Sequence, residues 1–336
     1  MLSVIVPNYN RAALIGETLD NLLRQTRAPD ELIVVDDGST DDSVREIERF
    51  GSRVTLIRQA NAGPAAARNR GLAASRGALI QFFDSDDLCS LNKLEVQERV
   101  LETTGADFAY GPWLQARLEE GRARYPERVL QQGPLPPGRT PLAWFLRSWV
   151  IVFQCCLFRR SLLDRVGPYR TDLMPSEDSE LLFRMLLSGA RPVHAPGALV
   201  LYRLHDGAQI CRGGMAARRR AEDWVRYTGI VGEALAAHPG AASRVDEWYW
   251  RRCQWDAGRA LERLAGPVEA LAAPDLAERA LFGAMGCYER IRAGLGRRLT
   301  GTGMRKSYQS GPLTPAQGDQ LRAIGYEPLR DPRVQG

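Results

Sequence analysis

Residues 79–87 have the sequence LIQFFDSDD, in which a short apolar run is followed by three carboxylates within four positions. The run Leu79–Phe83 predicts a buried β-strand. In open α/β sheets, ligands bind beyond the carboxyl ends of the strands. The stretch therefore predicts a strand of a covered sheet and an acidic site at the point where that strand ends.

The residues before this stretch alternate between strand and helix patterns. Leu32–Val35 is an apolar run too short for a helix and bounded by polar residues, and Leu2–Val6 and Val54–Ile57 are similar runs. Helices are predicted between these strands, at Ala12–Arg24, after the capping residues Ser39–Asp42, and at Pro64–Ala74. Strands that alternate with helices of this length imply parallel pairing. The predicted fold class is α/β, with a mixed, mostly parallel sheet that carries helices on both faces.

The pattern changes twice further along the chain. Up to Tyr202 the signals are irregular, with strands predicted at Phe108–Tyr110, Ile151–Phe158 and Ala198–Tyr202 and an amphipathic helix at Glu177–Ser188. Residues 215–300 show helical periodicity and no strand runs. We therefore predict an α/β unit at 1–206, a helical region at 207–300 and a loosely ordered tail at 301–336.

The charge is modest, at +5 for 336 residues, and arginine carries it because Lys93 and Lys306 are the only lysines. Codon bias explains this composition, and attraction to phosphates or to an anionic membrane surface is the alternative. The cluster Arg218–Arg220 is either a solvated face or a peripheral membrane contact. No nucleic-acid partner is expected, since the basic clusters lack interleaved aromatic residues on a recognisable module.

No signal peptide or membrane span is predicted. Residues 1–7 lack a basic region followed by a long apolar run. The stretch Leu142–Phe158 is interrupted by Arg147 and Gln154, so it falls short of the roughly 18 uninterrupted apolar residues of a spanning helix. We interpret it as a buried helix followed by a strand. The six cysteines include no C-x-x-C pair, which argues against a zinc site or a disulfide framework. Reduced thiols in a cytoplasmic protein are expected.

The carboxylates of Asp84, Asp86 and Asp87 would repel one another without a counter-ion. Hard oxygen ligands one residue apart suit Mg²⁺ or Mn²⁺, which also accept oxygens from a diphosphate. The alternative is an acidic N-terminus for the helix predicted at Leu91–Leu101, where carboxylates complement the helix dipole. We favour the metal, because the cluster follows a strand of the predicted sheet.

A second acidic pair, Asp36 and Asp37, ends the strand Leu32–Val35. These residues suit a turn and cap before the next helix. A carboxylate at this edge is also placed to accept the imide N–H of a uracil or thymine ring. Tyr9 offers an aromatic face for the same base. Ordinary packing explains this side chain equally well.

The first hundred residues resemble the family-2 glycosyltransferases, which have the GT-A fold. The resemblance rests on four segments in order, SVIVPNYN (3–10), ELIVVDDGSTD (31–41), NAG with ARNRG (61–71) and FDSDD (83–87). It continues more thinly through CLFRR (156–160), VGPY (166–169), EDSEL (177–181) and YRLH (202–205). Beyond about residue 206 we recognise no similarity.

The resemblance implies an inverting transfer of a sugar from a nucleoside diphosphate to a glycan, lipid-linked or protein acceptor. In inverting relatives the acidic pair at a helix start supplies the catalytic base, a role that falls on Asp178, with Glu177 as the alternative. The helix dipole there favours the ionised form. Simple capping of the helix is the structural alternative. The implied donor site comprises the residues Pro7, Tyr9, Asp36, Asp37, Arg68 and Asp84.

A divalent cation, Mg²⁺ or Mn²⁺, is implied at Asp84, Asp86 or Asp87, where it would stabilise the leaving diphosphate as a Lewis acid. The motif that residues 202–205 resemble closes over the diphosphate or metal in many relatives, which implies the same role for His205. A structural role explains this histidine equally well. Arg68 or His205 would add positive charge at the same place.

Two other functions predict different sequence features. A nucleotidyltransferase that makes the activated sugar predicts a Gly-rich loop directly after the first strand, and Asn8–Arg11 has no glycine. A non-catalytic, nucleotide-sugar-binding relative predicts loss of acidic residues at 84–87 or 177–178, where both sets are present. The favoured interpretation is a cytoplasmic glycosyltransferase, at the inner face of the membrane if the basic cluster contacts lipid. The sequence does not determine the oligomeric state.

Overall fold

The computed structural model describes residues 1–126, 129–205, 217–265, 282, 285 and 308–331. Two 3₁₀ turns lie at Gly51–Arg53 and Phe153–Cys155. The strands are β1 (Leu2–Asn8), β2 (Glu31–Asp36), β3 (Thr55–Arg58), β4 (Leu79–Phe82), β5 (Leu88–Cys89), β6 (Phe108–Tyr110), β7 (Trp113–Glu119), β8 (Arg122–Tyr125), β9 (Val129–Gln132), β10 (Cys156–Arg159), β11 (Pro192–His194), β12 (Val200–Arg203), β13 (Tyr308–Gly311) and β14 (Glu327–Arg330). The helices are α1 (Ala12–Leu23), α2 (Ser43–Glu48), α3 (Pro64–Ala74), α4 (Lys93–Thr104), α5 (Pro141–Leu146), α6 (Arg160–Val166), α7 (Glu177–Leu187), α8 (Ala217–Ala237), α9 (Arg244–Ala265) and α10 (Pro315–Ala323).

The main sheet has seven strands in the order β11-β6-β10-β4-β1-β2-β3. β1 pairs in parallel with both β2 and β4, in a register that places Asn8 opposite Asp36 and Ile5 opposite Phe82. β10 is antiparallel to its two neighbours. The predicted α/β class with a mixed, mostly parallel sheet is confirmed.

Both faces of the sheet are covered, because alternate residues of β1 enter different clusters. Ile5 packs with Phe82 in a cluster that includes Leu181 of α7. Val4 packs on the opposite face with Leu19 of α1. All seven residues of β1 are buried, as expected for a central parallel strand.

α3 lies unusually close to β1, and a glycine makes this approach feasible. A Cβ added at Gly71 would lie 2.3 Å from Ile5 Cγ2 and 3.3 Å from Val35 Cγ2. Two non-bonded carbon atoms cannot lie this close together, so the helix packs at this distance from the sheet only with glycine at position 71. The close packing fixes the position of the remaining side chains of α3.

A second sheet has the order β14-β8-β7-β12-β5. Of its strands, the sequence predicts only the one at Ala198–Tyr202, which overlaps β12. The sheet itself is not predicted, because β7 and β8 carry charged residues such as Arg117 and Arg122. Its β5 follows directly after the acidic stretch 84–87, and its β12 pairs with β5 and with β7. The acidic stretch therefore connects the two sheets.

Two predicted elements differ from the structure. Only the last three residues of the strand predicted at Ile151–Phe158 are part of a strand, β10, because a 3₁₀ turn occupies Phe153–Cys155. Residues 308–331 lie within the stretch expected to be a loosely ordered tail, and they form β13, α10 and β14. A capping box, in which Thr314 and Gln317 bond each other's backbone, begins α10.

The apolar stretch Leu142–Phe158 contains a short buried helix, α5, and then β10, as interpreted from the sequence. Within the described part of the chain, no helix is both long and apolar enough to cross a membrane. Four cysteines in this part have free thiols, Cys89, Cys155, Cys156 and Cys253. Cys211, Cys287 and Lys306 lie outside the described residues.

Lys93 is fully buried at the start of α4. Its ammonium group donates hydrogen bonds to Gln81 Oε1 and, at 2.8 Å, to Gln97 Oε1. Burial lowers the pKa of this amine. The lysine thus connects the middle of β4 to α4 through neutral partners.

Candidate active site

The parallel strands β1, β2 and β4 bring their carboxyl ends to one edge of the main sheet. Pro7 is buried within β1, opposite Val35. Tyr9 follows at this edge and is 45% exposed. Its ring is therefore accessible beside the ends of the strands.

The buried carboxylate of Asp36 stabilises the turn after β2. Its Oδ2 accepts a hydrogen bond from Asn8 Nδ2 at 2.9 Å, and its Oδ1 accepts one from the Ser39 N–H at 3.0 Å. Gly38 lies in this turn with φ +79°, and a Cβ there would lie 2.9 Å from the Asn61 backbone nitrogen. The turn thus requires glycine at this position.

Asp37 connects the end of β2 to the turn before α3. Its Oδ1 accepts hydrogen bonds from Gln59 Nε2 at 2.7 Å and from the Ala62 N–H at 2.9 Å. Its Oδ2 accepts one from the Gly63 N–H at 2.8 Å. Asp37 is 3% exposed, so a nucleotide base would have to share oxygens that already bond the protein.

Arg68 brings the acidic stretch and the start of α7 together. Its Nη2 lies 3.1 Å from Asp84 Oδ1, and its Nη1 lies 3.2 Å from Glu177 Oε1 and 3.7 Å from Asp178 Oδ1. The guanidinium also lies over the ring of Tyr169, 5.5 Å from the centroid. One buried cation therefore faces three carboxylates from two distant parts of the sequence.

The carboxylates at the start of α7 differ in exposure. The Glu177 side chain is 7% exposed and the Asp178 side chain 34%. Burial, together with the charge of Asp178, raises the pKa of Glu177 to about 7, against the opposing effect of Arg68. Asp178 Oδ1 accepts no hydrogen bond of normal geometry from the described residues.

Asp86 is held between two basic side chains. Its Oδ2 accepts a hydrogen bond from Arg11 Nε at 2.8 Å and lies 3.1 Å from His205 Nε2. Burial alone would raise the pKa of this carboxyl, but His205 and Arg11 outweigh burial and lower it. The Asp86 carboxylate is therefore ionised and compensated in this arrangement.

Asp87 has a different environment, because it is 1% exposed and its two oxygens bond the protein. Oδ1 accepts from the Arg203 N–H at 2.7 Å, and Oδ2 accepts from Gln154 Nε2 at 2.5 Å. Burial and the charges of Asp86 and Asp84 raise its pKa well above the ordinary value. Asp87 thus ties the acidic stretch to β12 and to the turn before β10.

The structure therefore forms two adjoining groups from the predicted residues. One contains Asp84, Arg68, Glu177 and Asp178, and the other contains Asp86 and His205. Asp36 and Asp37 bond the neighbouring turns instead of either group. Among the described residues, no three His, Cys, Asp or Glu side chains are arranged so that they could hold a metal ion as they stand.

Two residues of the site were not predicted. Arg11 pairs with Asp86. Its position just after the end of β1 is the feature of the sequence from which a place in the site could have been predicted. Gln154 bonds Asp87 from a turn between helix α5 and strand β10, and nothing in its sequence context indicates this contact.

Residues 3–167 match the model of glycosyl transferase family 2. This stretch contains β1 to β4, the acidic stretch and the two turns described above, so this part of the chain is similar to that family. Similar proteins include EpsJ, an uncharacterised glycosyltransferase of Bacillus subtilis, WfgD of Escherichia coli, and the mannosyltransferase PcManGT of Pyrobaculum calidifontis.

EpsJ is 30% identical over 220 residues, which are 60% of this chain and 61% of that relative. WfgD, a UDP-Glc:α-D-GlcNAc-diphosphoundecaprenol β-1,3-glucosyltransferase, is 38% identical over 113 residues, 33% of this chain and 45% of its own length. The chain thus spans less than two thirds of either relative. PcManGT, solved with GDP-Man and Mn²⁺, has a TM-score of 0.52 and 22% identity, covering 96% of this chain and 85% of that one. At this identity it supports the fold alone.

Proposed function

We propose that this chain transfers a sugar from a UDP- or dTDP-sugar to an acceptor hydroxyl, with inversion at the anomeric carbon and a divalent cation at the acidic stretch. The family of residues 3–167 supports the class of reaction. The inverting course follows from the resemblance to inverting relatives and from a base candidate separate from the acidic stretch.

One observation carries this proposal, namely that Arg68 contacts Asp84 on one side and Glu177 and Asp178 on the other. Glycosyl transfer requires positive charge at the leaving diphosphate and a proton acceptor at the attacking hydroxyl. Arg68 is the group between these two functions, and its charge is permanent. In the proposed reaction it orients both sets of carboxylates and adds positive charge beside the diphosphate.

Asp84, Asp86 and His205 fit a divalent cation by their ligand chemistry, since they supply oxygen and nitrogen ligands. Asp84 would have to move toward the other two, because no three such side chains in the described part of the chain are grouped to hold a metal ion as they stand. Asp86 Oδ2 and His205 Nε2 are already 3.1 Å apart. Asp87 fits poorly, since both of its buried oxygens accept hydrogen bonds from the protein. When bound, Mg²⁺ or Mn²⁺ would stabilise the charge of the leaving diphosphate as a Lewis acid.

Asp178 is the proposed base. Its side chain is one-third exposed, whereas Glu177 is buried and bonded to Arg68. Asp178 Oδ1 is a buried oxygen that accepts no well-formed hydrogen bond within the described parts of the chain, so the exposed part of this side chain is the part proposed to meet an acceptor hydroxyl. Glu177 then positions Arg68.

Tyr9 is the proposed stacking surface for the base of the donor, because its ring is exposed at the same edge of the sheet. Asp36 and Asp37 shape the adjoining turns, and Pro7 fixes the end of β1. The name of WfgD, with UDP-Glc and a diphosphoundecaprenol-linked acceptor, supports a uridine donor and a lipid-linked glycan acceptor. Work on such an acceptor would place this chain in the cytoplasm at the inner face of a membrane.

The test measures donor hydrolysis and sugar transfer with a panel of nucleotide sugars, with and without Mn²⁺. It compares the unsubstituted chain with the variant Asp86→Asn. We expect metal-dependent release of UDP that Asp86→Asn abolishes. Asp164→Asn is the matched control, because Asp164 is an exposed carboxylate of α6 outside the site. Metal-dependent UDP binding without turnover would instead identify a non-catalytic relative, and formation of a nucleotide sugar from NTP and a sugar phosphate would identify a nucleotidyltransferase.

A further inference from the structure

Residues 308–331 lie far beyond the family match at 3–167, yet they pack against the part of the chain that carries the site. β14 pairs in parallel with β8 at the edge of the second sheet, with Glu327 opposite Arg122. Gln320 Nε2 also donates a hydrogen bond to the Gly197 carbonyl at 2.7 Å. These contacts dock the segment on the sheet that contains β12.

The residue before β14 contacts a helix of the α/β unit. The Tyr326 hydroxyl donates a hydrogen bond to Glu17 Oε1 of α1. The other oxygen, Glu17 Oε2, accepts from Arg203 Nη1 of β12. Glu17 therefore bridges Tyr326 and Arg203, residues 123 positions apart in the chain.

Arg203 in turn holds the acidic stretch. Its Nε donates to the Asp86 carbonyl at 2.6 Å, and its backbone N–H donates to Asp87 Oδ1 at 2.7 Å. Its Nη2 donates to Thr18 Oγ1 at 3.2 Å. The Arg203 side chain is only 5% exposed, so its guanidinium has few alternative positions.

We propose that Tyr326 and Glu17 are positioning residues that set the Arg203 guanidinium and, through it, the conformation of the acidic stretch at residues 84–87. The consequence for cation binding rests on the proposed function, whereas the consequence for the conformation of 84–87 does not. The C-terminal segment is thereby a functional part of the site, although it lies outside the family-matched region.

The Tyr326 hydroxyl is not needed to dock the segment, because β14 pairing and the Gln320 contact already do so. What it adds is a partner for Glu17, whose side chain is 42% exposed. An exposed carboxylate has many rotamers, and a second hydrogen bond restricts it to the one that meets Arg203. Fixing Glu17 is therefore the specific effect of the hydroxyl.

The test compares the full chain with the variants Tyr326→Phe, Glu17→Gln and Gln320→Ala. Amide hydrogen exchange is measured over residues 84–90 and 199–205, and Mn²⁺ affinity is measured from the free-ion signal in electron paramagnetic resonance. We expect Tyr326→Phe and Glu17→Gln to speed exchange in both segments by about three- to tenfold, the range for loss of one charge-assisted hydrogen bond that is partly exposed. Mn²⁺ affinity should weaken by a similar factor.

Gln320→Ala is the matched control, because it removes a docking contact of the same segment that does not involve Glu17 or Arg203. It should leave exchange at 84–90 unchanged. Unchanged exchange in Tyr326→Phe would overturn the proposal, as would an equal increase in Gln320→Ala, since docking alone would then be the cause. If the unsubstituted chain binds no Mn²⁺, the proposed function fails, and faster exchange in Tyr326→Phe still supports the positioning role.

Discussion

The Arg68 guanidinium contacts Glu177 at 3.2 Å while its other nitrogen contacts Asp84 at 3.1 Å. These carboxylates come from α7 and from the stretch after β4, so one side chain of α3 connects two regions that are 93 residues apart. Buried charges are stable only when they are paired, so the three groups depend on one another. The geometry of the site is therefore sensitive to any change in this arginine.

Replacing Arg68 with Gln should destabilise the fold strongly. The substitution leaves Asp84, Glu177 and Asp178 without their shared cation, and breaking a buried charge pair typically costs about 3–5 kcal/mol of unfolding free energy when the carboxylates are ionised. Urea denaturation followed by circular dichroism measures the effect. Arg70→Gln, on the exposed face of the same helix, is the control and should change stability by less than about 0.5 kcal/mol. Equal effects of the two substitutions would contradict the buried ion-pair network.

Glu177 should make stability depend on pH. Its pKa is raised to about 7 in the folded chain, so the protonated form is favoured by folding. The contribution is fully present below the unfolded pKa of about 4.3 and is lost as pH rises through about 7. In Glu177→Gln this titration is absent.

We therefore expect the melting temperature of Glu177→Gln, relative to the unsubstituted chain, to rise from about pH 5 to about pH 7 and then to level off toward about pH 8.5. Differential scanning fluorimetry without metal measures it. Other titrating groups are common to both proteins and cancel in the difference. A constant difference across this range would show that Glu177 does not titrate there.

His205 should contribute to cation affinity without stabilising the fold greatly. His205→Gln removes the nitrogen next to Asp86 and should weaken Mn²⁺ binding by about tenfold or more. Calorimetry with UDP and Mn²⁺ measures the affinity. His238→Gln is the control, because that histidine is exposed at the end of α8. If both variants bind Mn²⁺ as the unsubstituted chain does, His205 is a structural residue.

The packing of α3 on β1 should tolerate no larger side chain. Gly71→Ala places a methyl group 2.3 Å from Ile5 Cγ2, and overpacking of this kind costs about 1–3 kcal/mol. Gly16→Ala in α1 is the matched helical control, since a Cβ there meets no atom within 4 Å. That substitution should stabilise the chain by about 0.5–1 kcal/mol, and thermal unfolding should shift in opposite directions for the two variants.

The sequence predicts the main sheet well because β1, β2 and β4 are buried on both faces. Their near-continuous apolar runs, such as Leu32–Val35, depend little on distant parts of the chain. Parallel pairing places the ends of these strands at one edge, and the structure adds the register that brings Asn8 beside Asp36. The adjacency of strand-end residues could thus be predicted, and the structure shows it.

The second sheet and the individual partners of each carboxylate were not predictable in the same way. β7 and β8 together carry three arginines and one glutamate, so their strand character depends on their neighbours. The pairing of Asp86 with Arg11, or of Glu17 with Tyr326, joins residues that are distant along the chain. Local patterns contain no information on such contacts, and only the packing of complete elements determines them.

Lys93 is one of two lysines in the sequence. It is fully buried between β4 and α4, where its ammonium group donates hydrogen bonds to Gln81 and Gln97. Acylating reagents require an accessible, deprotonated amine, which this side chain offers only when α4 separates from the sheet. The rate at which Lys93 is acylated therefore measures the opening of the fold directly, with no introduced label.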